Sequence, residues 1–137
     1  MSVLLDTSFL FALADTSDYN HDRVLAVART LTDPLILPLP VLPEVCYLIA
    51  SRLGHSAMRR FLSELVVSDT VLEAIDRTDL RRVNEILDQY ADSLLDFVDA
   101  AIIAIAERRQ ITRILTLDRR DFSIVRPRHC DYFEILP

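Results

Sequence analysis

There is no lysine in this chain: all 15 basic residues are arginine. That excludes Schiff-base chemistry and the phosphate-contacting lysine of many phosphoryl-transfer sites. Glycine is almost as scarce, Gly54 being the only one. A Walker loop and a GxGxxG fingerprint each need several positions where only glycine lets the backbone approach a phosphate, so nucleotide-cofactor folds drop out. The two cysteines, Cys46 and Cys130, stand far apart without a CxxC partner. This spacing argues against zinc ligation or a disulfide framework and for buried thiols in a reducing compartment. No segment reaches the roughly 18 uninterrupted apolar residues of a membrane span. The first apolar run is broken by Asp6 with no basic region before it, which does not fit a signal peptide. The expected location is the cytoplasm.

What is present is apolar. With 137 residues, 51% of them hydrophobic, the chain predicts one domain over residues 1–137 with a sizeable core. A mean hydropathy of +0.25 predicts in addition that some apolar surface is covered by self-association or by a partner. The net charge of −6 disfavours a protein that holds nucleic acid by global electrostatics, although a local arginine patch can still do so. Arg108, Arg109, Arg113, Arg119, Arg120, Arg126 and Arg128 crowd the last third. Arg108 and Arg109 read as favourable helix-terminating charges; "LDRRDF" and "VRPRH" are the better candidates for phosphate contacts.

Strand and helix patterns alternate. Val3–Leu5 reads as a buried strand followed by a short helix through 9–14, and Val24, Leu25, Ala28 and Leu31 keep helical spacing. "DPLILPL" gives a turn and a second strand ended by Pro38 and Pro40, and "PEVCYLIASRLG" a helix with Pro43 in its first turn and Gly54 as C-cap. His55–Val66 predicts a helix and 71–75 a third strand; Leu80, Val83, Leu87 and Tyr90 mark an amphipathic helix with Arg81, Arg82 and Glu85 outward. Residues 97–106 are apolar around most of the circumference, which predicts a central helix whose only charge is Asp99. A fourth strand at 113–117, a short turn or helix at "RRDF" and a closing strand in "DYFEIL" complete the chain. The fold predicted is α/β, a three-layer α/β/α domain with a mostly parallel sheet of four to five strands. Sites in such folds form outside the carboxyl ends of the strands.

Four acids occupy or approach that edge: Asp6 after the first strand, Glu44 after the second, Asp99 in the first turn of the buried helix and Asp118 after the fourth strand. Helix capping and dipole effects of about 0.3–2 kcal/mol account for each taken singly, Asp99 sitting at N3 behind an Asp96 cap. Taken together they conflict, because carboxylates crowded in one crevice repel and some would have to stay protonated. A divalent cation resolves the conflict: Mg²⁺ or Mn²⁺ takes oxygen ligands, activates water and stabilises a transferring phosphate. The chemistry implied is phosphodiester hydrolysis. Thr7, Ser8 and Thr116 flank Asp6 and Asp118 and can serve as hydrogen-bond partners or as plain caps. His21, His55 and His129 have no ligand spacing and read as surface or cap residues, and Cys46 reads as core.

The segments "VLLDTSFLFAL", "PLPVLPEVCYLI", "LLDFVDAAIIAIAERR" and "ILTLDRRDFSIVRP" together resemble PIN-domain ribonucleases, specifically the VapC-type toxins of bacterial toxin–antitoxin pairs. The resemblance lies in an ordered set: D-[ST] at the start, Glu in the middle, Asp before a small-apolar helix, and T-x-D-x-x-F near the end. It implies a Mg²⁺- or Mn²⁺-dependent endoribonuclease that cuts RNA, is neutralised by a small antitoxin and forms homodimers. The family's metal-binding acids fall on Asp6, Glu44, Asp99 and Asp118, with Asp96 and Asp121 as nearby acids able to share or take over the later roles.

Two rivals separate on sequence or by simple assay. A phosphatase or receiver-like phosphoacceptor wants, in its common form, a second Asp two residues beyond the first, where this chain has Ser8, and a lysine, which it lacks. A catalytically weak PIN-like module would bind RNA or protein without cutting, and would retain RNA without strand loss.

Overall fold

The computed structural model describes residues 1–137. In chain order the elements are β1 (Val3–Leu5), α1 (Thr7–Ala14), α2 (His21–Thr30), β2 (Leu35–Pro38), α3 (Val41–Leu53), α4 (His55–Val67), β3 (Val71–Glu73), α5 (Arg77–Gln89), a 3-10 turn (Ala91–Ser93), α6 (Phe97–Arg109), β4 (Arg113–Leu115), α7 (Arg119–Ile124) and β5 (Glu134–Leu136). The strands form one five-stranded sheet in the order β3-β2-β1-β4-β5, and every neighbouring pair is parallel. Its central strands are short and apolar because both faces are covered: all three residues of β1 are buried.

Register shows how the two faces are used. Leu4 stands opposite Ile36 on one side and Ile114 on the other, so these three side chains share a face. Alternation turns Leu5, Leu35, Leu37 and Leu115 to the opposite face, where they meet α1, α2 and α4 along an apolar cleft of about 400 Å³. α6 packs against β2 and against α5, which right-handed crossovers place on the Leu4 face. Residues 99–106 of α6 are all buried; its alanines admit close neighbours and its isoleucines fill the space between them.

The strand order also fixes where a crevice opens. From β1 the chain steps outward to β2 and β3, then returns over the other face through α5 and α6 to place β4 on the far side of β1. The order reverses between β1 and β4, and in open parallel sheets that switch point at the carboxyl ends is where ligands bind.

Some elements depart from the sequence reading. α1 begins at Thr7 and α3 at Val41, which puts Pro43 at the third helical position. Gly54 ends α3 as expected, with φ +102° and its N–H on the carbonyls of Ile49 and Ala50. β3 stops at Glu73 and β4 at Leu115; beyond Leu115 the Thr116 side chain is engaged in the site described below. Arg82 does not point into solvent: it donates to both carboxylate oxygens of Glu107, at 2.6 and 3.0 Å, and ties α5 to α6. Leu80, placed by its spacing on the apolar face of α5, is exposed, and buried Val83 and Ile86 form that face. Arg108 and Arg109 do more than close a helix, since Arg108 pairs with Asp79 and Glu73 and Arg109 with Glu73.

Candidate metal centre

Asp6 follows β1 directly. Its backbone N–H reaches Leu115 O at 3.0 Å, so the residue is stitched to β4 before its side chain does anything. Oδ1 accepts from Thr7 N at 2.8 Å and Oδ2 from the Thr116 hydroxyl at 2.6 Å. The Ser8 hydroxyl lies 3.4 Å from Oδ2 and 3.1 Å from Thr116 Oγ1 and accepts from Leu117 N at 2.9 Å. Thr116 Oγ1 in turn accepts from Asp118 N at 2.9 Å. A hydroxyl network thus spans the β1 and β4 ends and fixes the path of the chain into Asp118.

Asp118 caps α7, its Oδ1 accepting from Asp121 N at 3.1 Å. Asp96 caps α6 in the same way, accepting from Asp99 N at 2.9 Å. Asp99 therefore sits at the third position of α6, where the cap orients its backbone and leaves its carboxylate free. The carboxylates of Asp99, Asp118 and Asp121 converge, with oxygens within 4.8 Å of one another.

The electrostatics follow from this crowding. Asp6 is only 5% exposed, and burial pushes its carboxyl up to about 6; the charges of Glu44 and Asp118 add to the effect, while the bonds from Thr116 and Thr7 oppose it. Burial, followed by the charges of Asp96, Asp6, Asp118 and Asp121, drives the Asp99 carboxyl far above the usual carboxylate range. Asp121 is raised by burial and by its neighbour Asp118. Without a cation, the group cannot be fully ionised at neutral pH.

The donor set fits a hard divalent cation. It is composed of oxygens, and ligands about 2.1 Å from such an ion lie up to about 4.2 Å apart across it, close to the spread of the three carboxylates.

Of the four acids singled out in the sequence, Asp99 and Asp118 stand in the tight group. Asp6 adjoins it, and Glu44 lies on the Asp6 side, near enough for its charge to act there. Asp121 joins the triplet, one helical turn from Asp118, the α7 capping pattern being the signal that places it there. Asp96 is engaged as a cap. Two of the histidines are structural, His21 Nδ1 lying 2.9 Å from Ala12 O and His129 Nε2 lying 2.6 Å from Ile111 O, and His55 is exposed at the start of α4. Cys46 is half-buried, and burial raises its thiol above the ordinary value, the opposite of what a nucleophile needs.

A parallel three-layer domain with carboxylates gathered at its switch point, and no glycine-rich loop beside them, is the arrangement of an α/β protein that binds a divalent cation. The PIN domain family profile matches residues 3–126, and the chain belongs to that family. It is 32% identical over 135 residues to ribonuclease VapC26 of Mycobacterium tuberculosis, an alignment that covers 98% of this chain and 100% of that one. Among solved structures it is similar to M. tuberculosis VapC20, a sarcin-ricin loop cleaving toxin, with a TM-score of 0.86 at 21% identity over 98% of this chain and 99% of that one. It is also similar to VapBC2 of Rickettsia felis bound to a DNA fragment from its promoter, with a TM-score of 0.74 at 12% identity over the whole of both chains. At those identities the structural likeness speaks for the fold.

Proposed function

We propose that this protein is a metal-dependent endoribonuclease, the toxin of a toxin–antitoxin pair, with residues 1–137 acting as one PIN domain. The observation that carries the reading is the gathering of buried and half-buried carboxylates at the β1/β4 switch point, with Asp6 and Asp99 raised out of the normal carboxylate range. Asp6, Asp99 and Asp118 hold the ion with Asp121, and Glu44 completes the negative field on the Asp6 side. Mg²⁺ or Mn²⁺ bound there supplies Lewis-acid stabilisation of the phosphodiester and lowers the pKa of water. Thr116 and Ser8 keep Asp6 oriented. The substrate is RNA, and the RNA class is set by the groove around the acids rather than by the acids themselves.

The apolar cleft between the sheet and α1, α2 and α4 supports the second half of the reading. Leu13, Leu31, Phe61 and Leu65 line it, with Arg60 and Glu64 among its polar lining residues. An amphipathic antitoxin segment seats its apolar face there, and the copies of this chain pair as homodimers. Both features account for the high apolar content.

The test is cleavage of total cellular RNA by wild type and Asp99→Asn with Mg²⁺, with Mn²⁺ and with EDTA. Discrete fragments from wild type alone, lost with chelator, are expected. Retention of intact RNA by both proteins would replace the nuclease by a binding module, and equal cleavage by both would remove Asp99 from the site.

A further inference from the structure

The arginines of the last third divide by what they touch. Arg108 and Arg109 are held by Asp79 and Glu73, Arg113 by Asp33 and Glu134, and Arg128 by Glu85. Arg119 donates to the carbonyls of Ile135 and Pro137. Arg120 and Arg126 are exposed, with no carboxylate within ion-pairing distance and no hydrogen bond from either guanidinium, and of the two Arg126 lies past the end of α7. Arg120 adjoins Asp121 in sequence as Arg119 adjoins Asp118, and of these two only Arg120 has a guanidinium without a partner. It is the second residue of α7, inside the single turn that runs from Asp118 to Asp121 and is pinned by their 3.1 Å bond.

We propose that Arg120 is a substrate-binding residue of this nuclease: its guanidinium grips a non-bridging oxygen of the RNA backbone at a phosphate next to the one that is cut. The inference rests on the ribonuclease reading and adds to it the group that lets a polyanion approach the acids. A chain of net charge −6 offers RNA no general attraction, and the carboxylates around the site repel it. The cation they hold answers the charge of the acids and of one phosphate. The neighbouring phosphates need a separate positive group, and a guanidinium suits them because it stays charged and presents paired donors.

A competing role is internal, in which Arg120 only offsets the charge of Asp121. Its charge does act on Asp121, lowering the carboxyl that its neighbours raise. However, no ion pair forms, which leaves the donors available to a ligand. The two roles differ in what the Arg120→Ala variant loses. An internal counter-charge would alter cation affinity, whereas a phosphate contact would alter RNA affinity and its salt dependence.

The experiment measures both. Binding of a fluorescent mixed-sequence single-stranded RNA is followed by anisotropy with Mg²⁺ over a salt series, comparing Asp99→Asn with the Asp99→Asn/Arg120→Ala double variant. Cleavage kinetics and Mg²⁺ calorimetry compare wild type, Arg120→Ala, Arg120→Lys and, as a charge control on α2, Arg23→Ala. Loss of Arg120 is expected to weaken RNA binding about tenfold and to reduce the slope of log K against log salt by about 0.7, the contribution of one single-strand phosphate contact. The expected kinetic signature is a KM about tenfold higher with kcat within about twofold, lysine recovering part of the loss and Arg23→Ala behaving as wild type. Unchanged RNA affinity and slope would overturn the proposal while leaving the nuclease reading intact. An activity loss that follows weaker Mg²⁺ binding would overturn it in favour of the internal role. Failure of wild type to cut RNA, together with failure of Asp99→Asn to bind it, would overturn the ribonuclease reading itself and the contact with it.

Discussion

The Thr116 hydroxyl serves two acids at once, donating to Asp6 and accepting from the backbone of Asp118. Thr116→Val keeps the shape and removes both bonds. It is expected to push the Asp6 carboxyl higher still, to cost about 1–3 kcal/mol of stability and to lower cleavage about 10- to 100-fold, with Thr116→Ser recovering most of it; thermal melts and cleavage rates on the three proteins check this. Asp6 gives a second outcome. Its folded value of about 6 lies above its ordinary 3.8, so between those values the folded chain binds more protons than the unfolded one. The contribution of Asp6 to metal-free stability is therefore fully present below pH 4, falls by about 3 kcal/mol as pH rises through the window and is lost above it. Asp6→Asn should melt higher than wild type at pH 7.5 in EDTA while being inactive, and the gap should close at pH 4. A merely capping aspartate would give the reverse. The sequence placed Asp6, Asp99 and Asp118 correctly at strand and helix starts because caps and strand ends are local signals. It left Asp121 and Asp118 as competitors, since only the turn of α7 decides that both face Asp99.

At the scale of elements, the buried acids have two different fates. Asp79 is as buried as Asp6, yet it completes a capping box with Asp76 and receives two donors from Arg108, at 2.9 and 3.1 Å. Asp79→Ala is expected to cost about 2 kcal/mol and leave cleavage at 25 °C unchanged, readable as a lower melting temperature with an unaltered rate. The contrast with Asp6→Asn tells a structural acid from a site acid by the sign of the stability change. Helix and strand types were legible from period and punctuation: the all-apolar 97–106 segment forms the buried α6, and Gly54 stops α3. What was not legible is pairing between elements. Arg82 fits an outward position by period, and only the approach of α6 supplies Glu107 and draws it in. The spacing of Leu80 likewise says nothing about where α6 ends its cover.

Over the whole molecule, the acids belong to segments that begin near residues 6, 44, 99 and 118 and meet only because the sheet order reverses between β1 and β4. A cation held, as proposed, by Asp6, Asp99, Asp118 and Asp121 would tie their segments together. Titration with Mg²⁺ is therefore expected to raise the melting temperature of wild type saturably and to leave that of Asp99→Asn nearly unchanged; equal shifts in both would place the ion elsewhere. The alternation of strand and helix made the α/β class readable from the chain alone. Strand order, however, is a long-range property, and the short apolar runs of β1, β2 and β4 are alike in composition. The same order carries a consequence for how the protein comes into being. β1 and Asp6 are synthesised long before β4, which must slot in beside β1, and before Asp118 and Asp121 at the start of α7. A nascent chain carries β1, β2, α1, α2 and α4, and with them every residue that lines the apolar cleft except Leu115, before it carries Asp99, Asp118 and Asp121. On the proposed reading, the hydrolytic centre is therefore assembled only after β4 and the Asp118–Asp121 turn have been made, later than most of the apolar cleft.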